Sequence, residues 1–302
     1  MRRNTALTRI MASGVAAIMF CAGGTFTVNA AEEEPVKADV SVKAIQGLSD
    51  DFIGGMDVSS MLSLEESGVT FKNANGEVED LFTLLKESGV NYVRLRVWND
   101  PFTADGQGYG RRQRQRRSRT DHGQASHGSR AESAGRLPLL RFLGRPQQAA
   151  GAQGVEIRLK GDADKTADTV YDYTKQTLTT FKQAGVDVGM VQVGNETTAK
   201  IAGISGWDGM SKVFSAGSKA IREVLPEAKV VIHFTNPEKA GTYATYAKQL
   251  SNHNVDYDVF ASSYYPFWHG TTENLTSVLK NVASTYKKDV MVAENVVGIH
   301  LG

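Results

Sequence analysis

The feature that most constrains this chain is a repeated unit: a helical stripe, a glycine joint, then a short β-branched run. Val78, Leu81, Phe82 and Leu85 fall at helical spacing, Gly89 stops them, and Tyr92–Val97 follows as a strand. Tyr171, Thr174, Leu178 and Phe181 repeat the stripe, Gly185 ends it, and Val188–Val193 follows. A third stripe (Met210, Val213, Phe214, Gly217, Ile221, Val224) precedes Lys229–His233, and further strands are expected at Val259–Ser263 and Val290–Ala293. Even the joints echo, Ser88-Gly89-Val90 against Ala184-Gly185-Val186. Apolar strands alternating with helices build a parallel sheet, because parallel neighbours need a crossover and the helices cover both faces. The chain has 302 residues, which fits one α/β barrel. Polar residues close several strands (Phe52–Asp57 at Asp57, then Glu196, His233 and Glu294). That indicates a (β/α)8 TIM barrel, whose site gathers at the strand C-termini.

Two of these strand-end residues are glutamates, in Val193-Gly194-Asn195-Glu196 and Val290-Met291-Val292-Ala293-Glu294. Two carboxyl groups facing one cavity suit glycoside cleavage: one protonates the leaving oxygen, the other attacks or activates water. Two unrelated surface glutamates are the plainer reading of either motif alone. In Tyr92–Val97, Val93, Leu95 and Val97 share one face, and Arg94 and Arg96 the other. An edge strand would show those arginines to water; between two parallel strands they stand in a barrel mouth, where they hold carboxylates.

The N-terminus has the form of a secretory signal peptide over residues 1–30, leaving 31–302 as a single domain. Arg2, Arg3 and Arg9 are its basic region, Ile10–Phe20 its apolar run, and Val28-Asn29-Ala30 its cleavage site. The run is too short to span a bilayer, so a secreted protein without membrane attachment is expected. Cys21, the only cysteine, falls inside the segment; no thiol, disulfide or cysteine–metal chemistry is expected of the mature chain. A formal net charge of +1 gives no general reason to expect a nucleic-acid partner.

Gly55-Met56-Asp57-Val58-Ser59-Ser60, Val93-Arg94-Leu95-Arg96-Val97-Trp98, Val193-Gly194-Asn195-Glu196 and Ser263-Tyr264-Tyr265-Pro266-Phe267 together resemble the endo-β-1,4-galactanases of glycoside hydrolase family 53. Glu294 stands where the last motif is expected, and the likeness covers roughly residues 45–110 and 160–295. It implies a (β/α)8 barrel that cuts β-1,4-galactan, the side chain of type I arabinogalactan and pectin, with retention of configuration. By the same resemblance Glu196 is the acid/base and Glu294 the nucleophile. Asn195 bonds the sugar 2-hydroxyl, Arg94 steadies the nucleophile, and Tyr264 or Tyr265 orients it. Asp57, Arg94, Asn195, His233, Tyr264, Tyr265 and Trp268 are the expected substrate-binding residues. Trp98, Trp268 and Tyr265 suit sugar platforms, with core packing the alternative for each; His233 is either a substrate contact or a satisfied rim histidine. No cofactor is expected. Family members often bind calcium in loops near the C-terminus, and no such loop is found in this sequence. The expected partner is the galactan polysaccharide and the expected state a monomer.

One stretch departs from the pattern. Between Arg111 and Arg145 there are ten arginines and no lysine, and periodicity vanishes to about Ile157 where a third strand and helix belong. A basic nucleic-acid arm over Arg111–Arg119 is one reading, although the run has no stacking aromatics. A shifted reading frame over 111–157 fits better. Arg136–Pro146 admits codons that, moved by one base, spell Asp-Phe-His-Tyr-Ser-Asp-Phe-Trp-Ala-Asp-Pro, similar to the family's third-strand motif. Val296–Gly302 likewise recodes as Ser-Trp-Ala-Ser-Thr-Leu-Glu, and no eighth strand follows. The expectation is an incomplete barrel, its third strand garbled and its eighth missing. Such a chain is either a damaged galactanase or a galactan-binding relic without turnover.

Overall fold

A computed structural model describes residues 45–49, 51–97, 139–143 and 161–295. Residues 1–30, Trp98, most of 111–157 and 296–302 lie outside the described residues. The chain divides into two units, Met1–Asp50 and Asp51–Gly302. In the first, Leu48 donates its backbone N–H to the Ile45 carbonyl across a turn.

The second unit carries the strands β1 (Gly55–Asp57), β2 (Tyr92–Val97), β3 (Leu139–Leu143), β4 (Met190–Gln192), β5 (Lys200–Ile201), β6 (Ile204–Ser205), β7 (Lys229–Phe234), β8 (Val259–Tyr264) and β9 (Asp289–Asn295). Its helices are α1 (Met61–Glu66), α2 (Leu81–Glu87), α3 (Ala163–Gln183), α4 (Trp207–Val224), α5 (Thr242–Asn252) and α6 (Thr272–Tyr286). Seven strands form one sheet in the order β1-β2-β3-β4-β7-β8-β9, every neighbouring pair parallel, while β5 and β6 make a separate antiparallel pair. This is the wall of a (β/α)8 barrel, and it is incomplete as expected: among the described residues no eighth strand lies between β9 and β1.

One expectation is corrected. The garbled stretch does supply a strand, since Leu139–Leu143 pairs along β2 from Val93↔Leu139 to Val97↔Leu143 and along β4 from Leu140↔Met190 to Phe142↔Gln192. The residues Leu-Leu-Arg-Phe-Leu contain neither glycine nor proline, and the flanking strands offer backbone partners on both sides.

The helices start and stop where local chemistry dictates. Asp80 accepts from the backbone N–H groups of Phe82 and Thr83, Asp162 from those of Asp164 and Lys165, and Thr271 from that of Asn274. Gly89 and Gly185 take φ of 83° and 73°, the left-handed turn that lets α2 and α3 end and the next strand begin. Most of the stripes read from the sequence are buried: Phe82 and Leu85 on α2, Thr174, Leu178 and Phe181 on α3, and Phe214, Gly217 and Ile221 among others on α4. Val78 instead precedes α2, forms a β-bridge with Lys72 and is exposed. They meet the outward faces of the strands, Val93 and Leu95, Val191 and Val193, Val230, Ile232 and Phe234, and Phe260. A second, smaller cluster lies inside the wall, where Met190, Val231, Val259 and Ala261 pack with Tyr92 and Met291. The period of two therefore carries His233 inward with Val231, and Ser263 inward with Ala261.

Candidate active site

Each strand delivers its polar residue at its C-terminal end, which places the site at one rim of the wall. Arg94, in the middle of β2, is buried, whereas Arg96 nearer the strand end is exposed. One Arg94 nitrogen, Nη2, donates to Asn195 Oδ1 at 2.8 Å and also to Glu294 Oε1. Arg94 Nη1 lies 3.4 Å from Asp57 Oδ2, which Arg96 Nε also meets at 3.2 Å. Arg96 Nη2 reaches Glu294 Oε1 at 3.5 Å, and the Tyr265 hydroxyl donates to Glu294 Oε2 at 2.7 Å. Burial pushes the Glu294 carboxyl up. The Arg94 charge, the His233 ring and the bonds donated by Tyr265 and Arg94 outweigh it and hold the group down at about 2.

Glu294 owes its direction to a register shift. Ser262 pairs with Val292, but Ser263 pairs with Glu294, so Ala293 has no partner position on β8. Strict alternation would set Glu294 on the face of Val290 and Val292. The extra residue turns it instead to the inner face, opposite Ser263.

Glu196 is set by the chain's exit from β4. Val193 still bonds the Val231 carbonyl, then Gly194 takes φ 78° and Glu196 φ 47°, both left-handed. A non-glycine residue held there is strained and persists because the surroundings fix it. Here Thr197 does so, giving both its N–H (2.8 Å) and its hydroxyl (2.9 Å) to the His233 carbonyl. The Glu196 Oε1 accepts from the Ser263 hydroxyl at 2.7 Å.

The structure brings Asp57, Arg94, Asn195, Glu196, Tyr265 and Glu294 together as the sequence suggests. His233, expected as a substrate contact or a satisfied rim histidine, is satisfied by hydrogen bonds but fully buried, because the alternation of β7 carries it below the rim. Its ring meets Gln192, Asn195, the Glu196 backbone N–H and Ser263. Tyr264 and Tyr265 part company: Tyr264 packs in the outer core with its hydroxyl on the Gly270 carbonyl at 2.9 Å, and only Tyr265 meets Glu294. Trp268 is 72% exposed and stands edge-on to Tyr265 with ring centres 6.0 Å apart. Sequence reasoning did not single out Gln192, Ser263 or His269, whose Nδ1 accepts from the Tyr265 backbone N–H at 3.0 Å. Their one signal was a polar residue at the end of an apolar strand or in the loop after it. Among the described residues no three histidine, cysteine or carboxylate side chains are gathered to hold a metal ion. Nor is any described helix long and apolar enough to cross a membrane.

Comparison with known proteins agrees with the fold. The family model described as glycosyl hydrolase family 53 matches residues 53–301. An endo-beta-1,4-galactanase of Bacillus subtilis (strain 168) is 48% identical over 256 residues, 85% of this chain, which spans 59% of that relative's length. A probable arabinogalactan endo-beta-1,4-galactanase A of Aspergillus tubingensis is 29% identical over 80% of this chain and 69% of its own length. Among solved structures, the Ignisphaera aggregans GH53 catalytic domain superposes with a TM-score of 0.71 at 27% identity, covering 87% of this chain and 74% of that one. A structure of fungal beta-1,4-galactanases gives 0.66 at 25% identity, covering 81% and 74%.

Proposed function

The chain belongs to glycosyl hydrolase family 53, and from that premise we propose that it is a secreted endo-β-1,4-galactanase working with retention of configuration. The observation that carries the reading is the Arg94 bridge, one guanidinium nitrogen joining the carboxylate of Glu294 to the amide of Asn195 beside Glu196. An ionised carboxylate and a neighbouring second carboxyl group are the two parts a retaining glycosidase needs, held about 5–5.5 Å apart. Glu294, kept at a pKa of about 2, is anionic at neutral pH and attacks the anomeric carbon. Glu196 protonates the departing oxygen, then takes a proton from the water that releases the sugar. Asn195 Oδ1 already accepts from Arg94, which leaves the Asn195 Nδ2 to donate to a sugar 2-hydroxyl. Exposed Trp268, beside Tyr265, offers a platform for a pyranose face, and exposed Asp57 a rim contact.

The substrate follows from the galactanase names of the relatives, and the extracellular location from residues 1–30 and the polymer itself. The molecule acts as a monomer, without nucleic acid or membrane. Residues 111–157 and 296–302 carry a shifted frame on this reading. A second reading, galactan binding without turnover, is favoured by one observation: β1 and β9 lack a shared neighbour among the described residues. The test compares Glu196→Gln with Glu294→Gln in a frame-restored protein, on β-1,4-galactan and on an aryl galactobioside with a good leaving group. Glu196→Gln should slow galactan cleavage by roughly two to four orders of magnitude and spare the aryl-releasing step, whereas Glu294→Gln should abolish both. Equal losses on both substrates in both variants would refute the roles, and galactan binding without turnover by the frame-restored parent would establish the second reading.

A further inference from the structure

Beneath Glu196 lies a chain of hydrogen bonds whose direction can be worked out donor by donor. Gln192 Nε2 sits 2.6 Å from the Gly194 carbonyl, which only accepts; this fixes which end of the amide is nitrogen. Its second hydrogen is shared between His233 Nδ1 at 3.1 Å and the more distant Asn195 Oδ1 at 3.4 Å, and the Glu196 backbone N–H, which only donates, also meets Nδ1 at 3.3 Å. Two donors at Nδ1 place the ring proton on Nε2, which lies 2.9 Å from Ser263 Oγ. Ser263 Oγ therefore accepts from His233, and its single proton goes to Glu196 Oε1 at 2.7 Å. Asn195 Oδ1, 3.2 Å from Nδ1, accepts from Arg94; His233 would donate to it only with a proton on Nδ1, the position that the two donors take.

We propose that Ser263 is a positioning residue for Glu196: driven by His233, its hydroxyl occupies Oε1 and so assigns the transferable proton to Oε2. The proposal rests on the galactanase reading for what Glu196 does. In the first step the Oε2 proton passes to the glycosidic oxygen as its bond to the anomeric carbon breaks and Glu294 bonds that carbon. In the second, Oε2 takes a proton from the water whose oxygen displaces Glu294. Ser263 exchanges no proton in either step. It stops the carboxyl group from turning over and, by donating to it, favours the ionised form. The charged groups around this cluster are Glu294, which pairs with Ser263 across β8 and β9, and Arg94, Arg96 and Asp57 beyond it.

Two measurements on the full-length, frame-restored protein test this. The first is nitrogen NMR of histidine-labelled protein, with His233 assigned by its loss in His233→Gln. A neutral ring protonated at Nε2 is expected near neutral pH; an Nδ1–H ring or an imidazolium would reverse the chain and overturn the proposal. The second compares Ser263→Ala with Ser263→Thr, which restores a hydroxyl. Ser263→Ala should lower kcat on galactan about ten- to a hundredfold. KM on galactan and the first-turnover burst of aryl release from the aryl galactobioside should stay within about twofold. The basic limb of the pH profile should move upward, because Glu196 keeps its proton longer. Ser263→Thr should recover most of the loss. An equal loss in galactan kcat and in the first-turnover aryl burst, or an unmoved basic limb, would overturn the proposal. If the frame-restored parent cleaves neither substrate, the galactanase reading fails instead, and the NMR result still decides whether Ser263 donates to Glu196.

Discussion

Glu294 is held by groups that all prefer it charged, and this makes its titration a stability switch. Its pKa falls from the ordinary 4.5 to about 2 on folding. A lowered folded-state value contributes stability that is fully present above pH 4.5 and is lost as pH falls through 2. Melting temperature should therefore drop across that window in a pH series. Tyr265→Phe removes a bond donated to the ionised form, which should raise the acid midpoint and lower galactan turnover about tenfold or more. An unchanged midpoint would show that Tyr265 only packs. At this scale the sequence was informative where a polar type closed an apolar run, as at Arg94, Asn195 and Glu196. It was silent on which of Tyr264 and Tyr265 faces inward, because adjacent strand residues point opposite ways and the register shift at Ala293 has no sequence mark. Ser263 was quoted only as part of a motif: a serine in a buried strand carries no sign of the carboxylate it meets.

The elements were legible in the helical stripes and their glycine stops, since periodicity and left-handed turns are local properties. β3 was not, because its arginine-rich surroundings mask four apolar residues and an arginine whose strand state depends on neighbours distant in sequence. The α4 stripe conceals a tighter constraint. A Cβ at Gly217 would sit 2.6 Å from Val193 Cγ1, so α4 approaches β4 more closely than any side chain allows. Gly217→Ala should cost about 1–3 kcal/mol through overpacking, although alanine is the better helix former. Chemical denaturation measures this, and a neutral or stabilising result would mean the helix shifts at no cost. Val193 precedes Gly194 and Glu196, so a shifted α4 should also lower turnover.

At the scale of the second unit, the described sheet is an open wall. β1 and β9 have no partner strand between them among the described residues, and Met56, Val290 and Val292 on these two strands are exposed. Strand edges and bare apolar side chains favour association, and a domain has only about 5–15 kcal/mol of stability to lose. Restoring the frame at 111–157 and 296–302 should raise solubility, sharpen the melt and increase galactanase activity by at least a hundredfold. Circular dichroism melts and reducing-sugar release from galactan compare the two forms. Equal activity and equally cooperative melting would show that the shifted-frame reading, or its assumed cost, is wrong.

Across that opening runs a row of charges: Asp57 on β1, Arg94 and Arg96 on β2, and Glu294 on β9. The carboxylate proposed as the nucleophile thus doubles as a clasp between the first and last strands of the sheet. Trapping a substrate by neutralising the nucleophile is a common crystallographic strategy, and here it works against itself. Glu294→Gln leaves buried Arg94 without its charge partner on β9, a loss on the order of 3 kcal/mol that should lower the melting temperature by several degrees. Glu196→Gln leaves the clasp fastened, since Glu196 bonds Ser263 on β8. A galactan complex is better sought with Glu196→Gln, and differential scanning fluorimetry of the two variants would show the difference before any crystal is grown.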